Sequence, residues 1–130
     1  MKICLDTNAY SDFIRGVKGF DQLFSTADEI IVPAIVIGEL QYGFLLGRRA
    51  AQNEDLLSRF LAKPGVVVQP VTRDVAERFG YVKAALKSNG HPIPENDIWI
   101  AATALETGAR LVTRDAHFDA IGGLIRIVPS

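Results

Sequence analysis

In 130 residues the chain has one cysteine, one methionine, one tryptophan and two histidines. A single cysteine excludes an internal disulfide, and Cys4 sits in an apolar run where a buried thiol is expected. With two histidines and no cysteine pair, the soft ligands of a zinc site are missing. No apolar stretch approaches the ~20 residues of a membrane span. Gly-rich phosphate loops of the Walker or dinucleotide type are absent, as are Ser/His/Asp and Cys/His nucleophile arrangements. The net charge of −1 lacks the strong positive excess by which many non-specific nucleic-acid binders declare themselves. A polyanion would have to be held by local basic patches and by bound metal.

What is present is an ordinary globular balance, 48% hydrophobic and 22% charged, without repeats, linkers or low-complexity segments. One domain spanning residues 1–130 is expected. The N-terminal Met-Lys leads straight into a strand-like run, so no signal peptide is expected and the cytoplasm is the default location.

Five short Val/Ile/Leu-rich runs read as strands: Lys2–Leu5, Glu29–Val32, Gly65–Gln69, Arg110–Val112 and Ile125–Val128. Most are unbroken rather than alternating, as in parallel strands buried on both faces. Helical stretches separate them. The clearest runs from about Thr72 to Asn89, where Val75, Phe79, Val82 and Leu86 repeat at one-turn spacing before Gly90. Another starts near Glu95 and stops at Gly108; the rest are Asn8–Ile14, Gly19–Ser25, Ile35–Leu46 and Ala50–Leu61. This alternation predicts a three-layer α/β/α fold around a mainly parallel sheet of about five strands.

Four acids stand where apolar runs end or are interrupted: Asp6, Glu39, Asp97 and Asp115. Asp6 follows the first strand and Asp115 the fourth, and ligands of open parallel sheets gather at such strand ends. Asp97 falls in the first turn of its helix, where the macrodipole favours negative charge. Glu39 is one of the few charges in an apolar helix, a costly position unless it is paired or metal-bound. Each has a structural alternative: Asp6 and Asp115 as helix or turn caps, Asp97 as a dipole partner worth only ~0.3–1 kcal/mol. Four such placements toward one end of a sheet point instead to a cation site. Asn8 and Thr113, beside two of the acids, serve either turn chemistry or the orientation of the carboxylates. His117 reads as a packing or capping residue, and Asp12, Glu95 and Asp119 as solvated surface acids, the first two with some reach toward a second metal.

In Ile35–Leu46, apolar residues cover nearly the whole circumference, which predicts a face covered by a protein partner. Carboxylates without soft ligands select hard cations, Mg²⁺ or Mn²⁺. Such ions activate water and neutralise charge developing on a phosphodiester. Residue chemistry alone leaves phosphodiester hydrolysis, phosphomonoester hydrolysis and a phosphoacceptor site open.

The segments Leu5-Asp6-Thr7-Asn8, Val32–Gly43, Pro94–Ala104 and Leu111–Phe118 together resemble the PIN-domain family, within it the VapC-type toxins of toxin–antitoxin pairs. The resemblance spans almost the full chain in the right order. The family's acidic set falls on Asp6, Glu39, Asp97 and Asp115, with Asn8 and Thr113 matching its polar neighbours; Ala34 departs from the hydroxyl residue of many relatives. The resemblance implies Mg²⁺- or Mn²⁺-dependent endoribonuclease cleavage of RNA. It also implies a homodimer and a cognate antitoxin whose C-terminal segment covers the active-site groove. Arg48, Arg49 and Arg114 are candidates for RNA phosphate contacts. The alternatives are a non-catalytic RNA-binding or protein-interaction module and a small-molecule phosphatase; the latter fits poorly, because Asn8 stands where that chemistry wants a second Asp.

Overall fold

The apolar runs form strands β1 (Lys2–Leu5), β2 (Glu29–Pro33), β3 (Val66–Gln69), β4 (Arg110–Val112) and β5 (Arg126–Ile127) in a computed structural model that describes residues 1–129. All pair in parallel, in the order β3-β2-β1-β4-β5. Helices α1 (Thr7–Ile14), α2 (Phe20–Thr26), α3 (Ala34–Leu46), α4 (Ala50–Leu61), α5 (Arg73–Ser88) and α6 (Glu95–Thr107) supply the crossovers that parallel pairing requires. The result is the expected three-layer α/β/α sandwich.

The central strand carries the core. Ile3, Cys4 and Leu5 are wholly buried, and Ala101, Ala102 and Ala104 let α6 pack closely in the interior. On α1, α2 and α4 an aromatic cluster fills the space between helices. Phe13 stacks on Phe24 at 4.3 Å between ring centroids, and Tyr10 meets Phe60 edge-on at 5.2 Å.

Three local expectations change. Strand β5 is shorter than Ile125–Val128, covering only Arg126–Ile127. Strand β3 is not buried on both faces, because it lies at the sheet edge with Val67 and Val68 partly exposed. Asp12 is not a surface acid; it is 1% exposed. Helix α3 matches its pattern: Val36 and Leu40 face the core, while Tyr42, Leu45 and Leu46 are 66%, 78% and 71% exposed.

The strand order creates the site. Leaving β1, the chain proceeds outward to β2 and β3, then returns to the other side of β1 for β4 and β5. The reversal falls between β1 and β4, whose register pairs Leu5 with Val112. The next residues, Asp6 and Thr113, therefore emerge side by side at the carboxyl end of the sheet, where the diverging connections leave a crevice.

Candidate active site

Asp6 is the first residue beyond β1 and only 6% exposed. Its extended backbone makes it the N-cap of α1, with Oδ1 accepting from the Ala9 amide at 2.7 Å. The cap occupies one oxygen, so capping and a second role coexist. The buried Thr113 hydroxyl accepts from the Asp115 amide at 3.0 Å, and Thr113 also acts to lower the proton affinity of Asp6. One threonine thus stands beside both acids at the ends of neighbouring strands.

Asp97 comes from the opening turn of α6, and Asp115 caps the 3₁₀ turn Ala116–Ala120 by accepting from the His117 amide at 3.1 Å. The His117 ring sits between these carboxylates. Its Nε2 lies 3.0 Å from Asp97 Oδ2, and its Nδ1 lies 3.0 Å from Asp115 Oδ1. One potential ligand atom from each of Asp97, Asp115 and His117 falls within 4.8 Å of the others. The expectation of a packing or capping histidine is corrected: a turn of the 3₁₀ type swings a side chain two positions after Asp115 back onto it.

Glu39 projects from α3, and its Oε1 accepts from the Thr7 hydroxyl at 2.7 Å, fixing it beside the β1–α1 junction. Its charge acts on Asp97. Burial, the largest cause, raises the proton affinity of Asp6 above the ordinary carboxylate value, and the charges of Asp97 and Asp115 push the same way against the Thr113 and Ala9 hydrogen bonds. Burial also raises Asp97, helped by Glu39 and Asp115 and opposed by His117. These mutual influences describe one electrostatic cluster, drawn from two strand ends and two helices.

An open cleft of about 410 Å³ runs past Asp6, Asn8, Thr113 and Asp115, with Asp12, Arg15 and Arg114 along its side. The model of the PIN domain matches residues 3–124 of the chain. The chain belongs to the PIN-domain family. It is 32% identical over 118 residues to Ribonuclease VapC2 of Haemophilus influenzae, covering 88% of this chain and 87% of that protein. It is 30% identical over 105 residues to Ribonuclease VapC2 of Rickettsia felis, covering 80% and 77%. Among solved structures, VapBC2 of Rickettsia felis bound to a DNA fragment from its promoter superposes with a TM-score of 0.87 at 26% identity, covering 100% of both chains.

Within this PIN domain the basic residues separate. Arg114 is not a free cation: it donates to Asp12 Oδ2 at 2.7 Å, and its guanidinium lies 6.0 Å from the centroid of the Phe20 ring. Arg48 and Arg49 are exposed in the α3–α4 connection, beyond the end of a helix that carries them roughly 10 Å or more past Glu39. Glu95 is exposed and paired with Lys83 at 3.0 Å, and Asp119 is paired with Arg126 at 2.8 Å. His117, Thr7 and Arg15 join the site region without having been singled out for it, and Asp12, read as a surface acid with some reach toward a second metal, lies buried beside the cleft instead. Thr7 and His117 lie close to Asp6 and Asp115 in sequence, whereas the burial of Asp12 was not legible, because Arg114, which holds its second oxygen, lies 102 residues away.

Proposed function

We propose that this PIN domain is the toxin ribonuclease of a toxin–antitoxin pair, an endonuclease that hydrolyses RNA phosphodiester bonds with a hard divalent cation, Mg²⁺ or Mn²⁺. The observation that carries the reading is the gathering of ligand atoms of Asp97, Asp115 and His117 within 4.8 Å of one another, with Asp97 acting electrostatically on Asp6 and Glu39 acting on Asp97. Like charges drawn together and partly buried are costly, and the raised proton affinities of Asp6 and Asp97 are the signature of that cost. A cation relieves it. The donor set, carboxylate oxygens with one imidazole at the edge, fits a hard ion rather than a thiophilic one.

In this reading Asp6, Glu39 and Asp97 hold the ion, directly or through water, and Asp115 completes the site by holding a second ion or orienting the attacking water. A bound ion of this kind supplies charge neutralisation at the phosphate and activation of water. The protein's own part is positional. Thr7 fixes Glu39, Thr113 accepts from the Asp115 amide beside Asp6, and the His117 ring lies between Asp97 and Asp115, while Asn8 lines the approach. Induced expression followed by sequencing of cellular RNA ends tests the activity. New internal ends should appear with the wild type and be missing with Asp97→Asn; equal ends from both would remove the nuclease reading.

The partners follow from the surface. The Rickettsia felis relative is a complex of toxin with antitoxin, and a cognate antitoxin laid over the cleft would close it to RNA. The exposed apolar end of α3 (Tyr42, Leu45, Leu46) is the proposed contact of a homodimer. Leu45→Asp, at a side chain free of the core, should shift the purified protein from dimer to monomer on size exclusion with little change in melting temperature. An unchanged elution volume would place the dimer contact elsewhere.

A further inference from the structure

Asp12 is a buried carboxylate outside the acidic cluster, and the reading above gives it no role. Located on α1 and 1% exposed, it accepts from Arg15 Nη2 at 2.5 Å through Oδ1 and from Arg114 Nη2 at 2.7 Å through Oδ2. Each oxygen has its own guanidinium. One comes from the following helical turn, the other from the segment after β4, 102 residues away. Both arginines remain largely in solvent, 67% and 57% exposed, and both line the same cleft as Asp6, Asn8, Thr113 and Asp115.

A buried carboxylate is satisfied by one well-placed guanidinium with further hydrogen bonds; here two are gathered, leaving an excess positive charge on that wall. A guanidinium has several N–H donors, and each of these gives one bond to Asp12, so most of its fork stays available. The Phe20 ring near the Arg114 guanidinium restricts it further. A planar, partly immobilised cation with free donors is suited to phosphate oxygens, at little additional ordering cost. The placement also answers a difficulty in the charge balance. A chain of net charge −1 with an acidic centre repels a polyanion unless cations stand next to that centre.

We infer that Arg15 and Arg114, aligned by the buried Asp12, grip a backbone phosphate of the RNA strand flanking the scissile bond, with Asp12 as the positioning residue of that grip. The identity of the strand rests on the ribonuclease reading; the phosphate grip does not require turnover.

The test is carried out in EDTA on the full-length Asp6→Asn protein, so that neither metal nor cleavage enters. Binding of a short labelled single-stranded RNA of mixed sequence is followed by fluorescence anisotropy across a salt series. Arg15→Gln and Arg114→Gln should each weaken binding about tenfold at low salt, the loss of one charge-assisted contact. Each should also flatten the slope of log affinity against log salt by about 0.7. Asp12→Asn discriminates positioning from simple charge. If Asp12 only neutralises the arginines, its removal tightens binding; as the positioning residue, its removal weakens binding while the salt slope stays. Tighter binding by Asp12→Asn would overturn its role. Arginine variants with parental affinity and slope would overturn the grip, leaving the triad as a clamp between α1 and the β4 exit, and these two exposed positions keep the test valid if Asp12→Asn does not fold. Failure of the ribonuclease reading is seen separately, as wild-type protein that cuts no RNA with Mn²⁺ present.

Discussion

Asp6→Asn is expected to lower RNA cleavage by about a thousandfold or more and, in metal-free buffer at neutral pH, to raise the melting temperature. The first effect follows from position. Asp6 is the acid nearest the strand switch, buried and in electrostatic contact with both Asp97 and Asp115. On the proposed reading Asp6 is a ligand, and its loss removes several kcal/mol of charge stabilisation, each ~1.4 kcal/mol being tenfold in rate. The second effect separates function from folding. Burial first, then the neighbouring carboxylates, raise the proton affinity of Asp6 in the folded state above its unfolded value. The folded protein therefore binds more protons than the unfolded chain across that window. Stability is greatest below the unfolded value and is lost as pH rises through the folded one. Asparagine never ionises and so escapes this loss, and it serves equally well as the cap of α1 toward the Ala9 amide. A gain of roughly 2–5 °C, equivalent to about 1 kcal/mol, should be read by calorimetry at pH 7 in EDTA, shrinking toward zero at acid pH. A lower melting temperature at pH 7 would mean that Asp6 is held for stability rather than for a cation.

Removal of divalent metal should abolish cleavage and lower the melting temperature, with Mn²⁺ or Mg²⁺ restoring both. An ion that binds only the folded state stabilises it by mass action, about 2.7 kcal/mol at a hundredfold excess over its dissociation constant. The pH dependence carries the sharper test. Asp6 and Asp97 must lose their protons before they can hold a cation, and burial keeps those protons on above the ordinary carboxylate range. Metal-induced stabilisation and cleavage should therefore both rise with pH and level off later than for exposed carboxylates. Melting curves with and without Mn²⁺, taken at successive pH values, read this directly. A metal increment in melting temperature that is independent of pH through the acid range would exclude Asp6 and Asp97 as its ligands.

Much of this architecture was legible because local chemistry and tertiary position coincide. The segment Lys2–Leu5 is an unbroken apolar run closed by a capping Asp, and it became β1 with those same ends. Gly108 closes α6 with a positive φ of 69°, a conformation glycine adopts without strain, and turns the chain into β4. Glu39 was conspicuous since an isolated charge in an apolar helix demands a partner, and the Thr7 hydroxyl supplies one. Strand β3 was legible as a parallel strand, but its place in the sheet was not. Val66–Val68 are as apolar as the central strands, and only the order of strands, a property of the whole topology, places them at an edge. Asp12 illustrates the same limit for the site. In sequence it is an acid beside Arg15 in a short amphipathic helix, which reads as surface; its burial depends on Arg114, brought against it by the β1–β4 pairing. His117 was misassigned because its approach to Asp97 joins a 3₁₀ turn to the start of α6, a contact that no spacing within either segment encodes.

The most direct test of the central claim is anomalous diffraction from crystals of the protein soaked in Mn²⁺, compared with crystals of Asp97→Asn. The wild type is expected to show an anomalous peak among the carboxylates of Asp6, Glu39, Asp97 and Asp115, lost or strongly reduced in the variant. A wild-type crystal with Mn²⁺ bound only elsewhere, or a peak of equal height in Asp97→Asn, would contradict it.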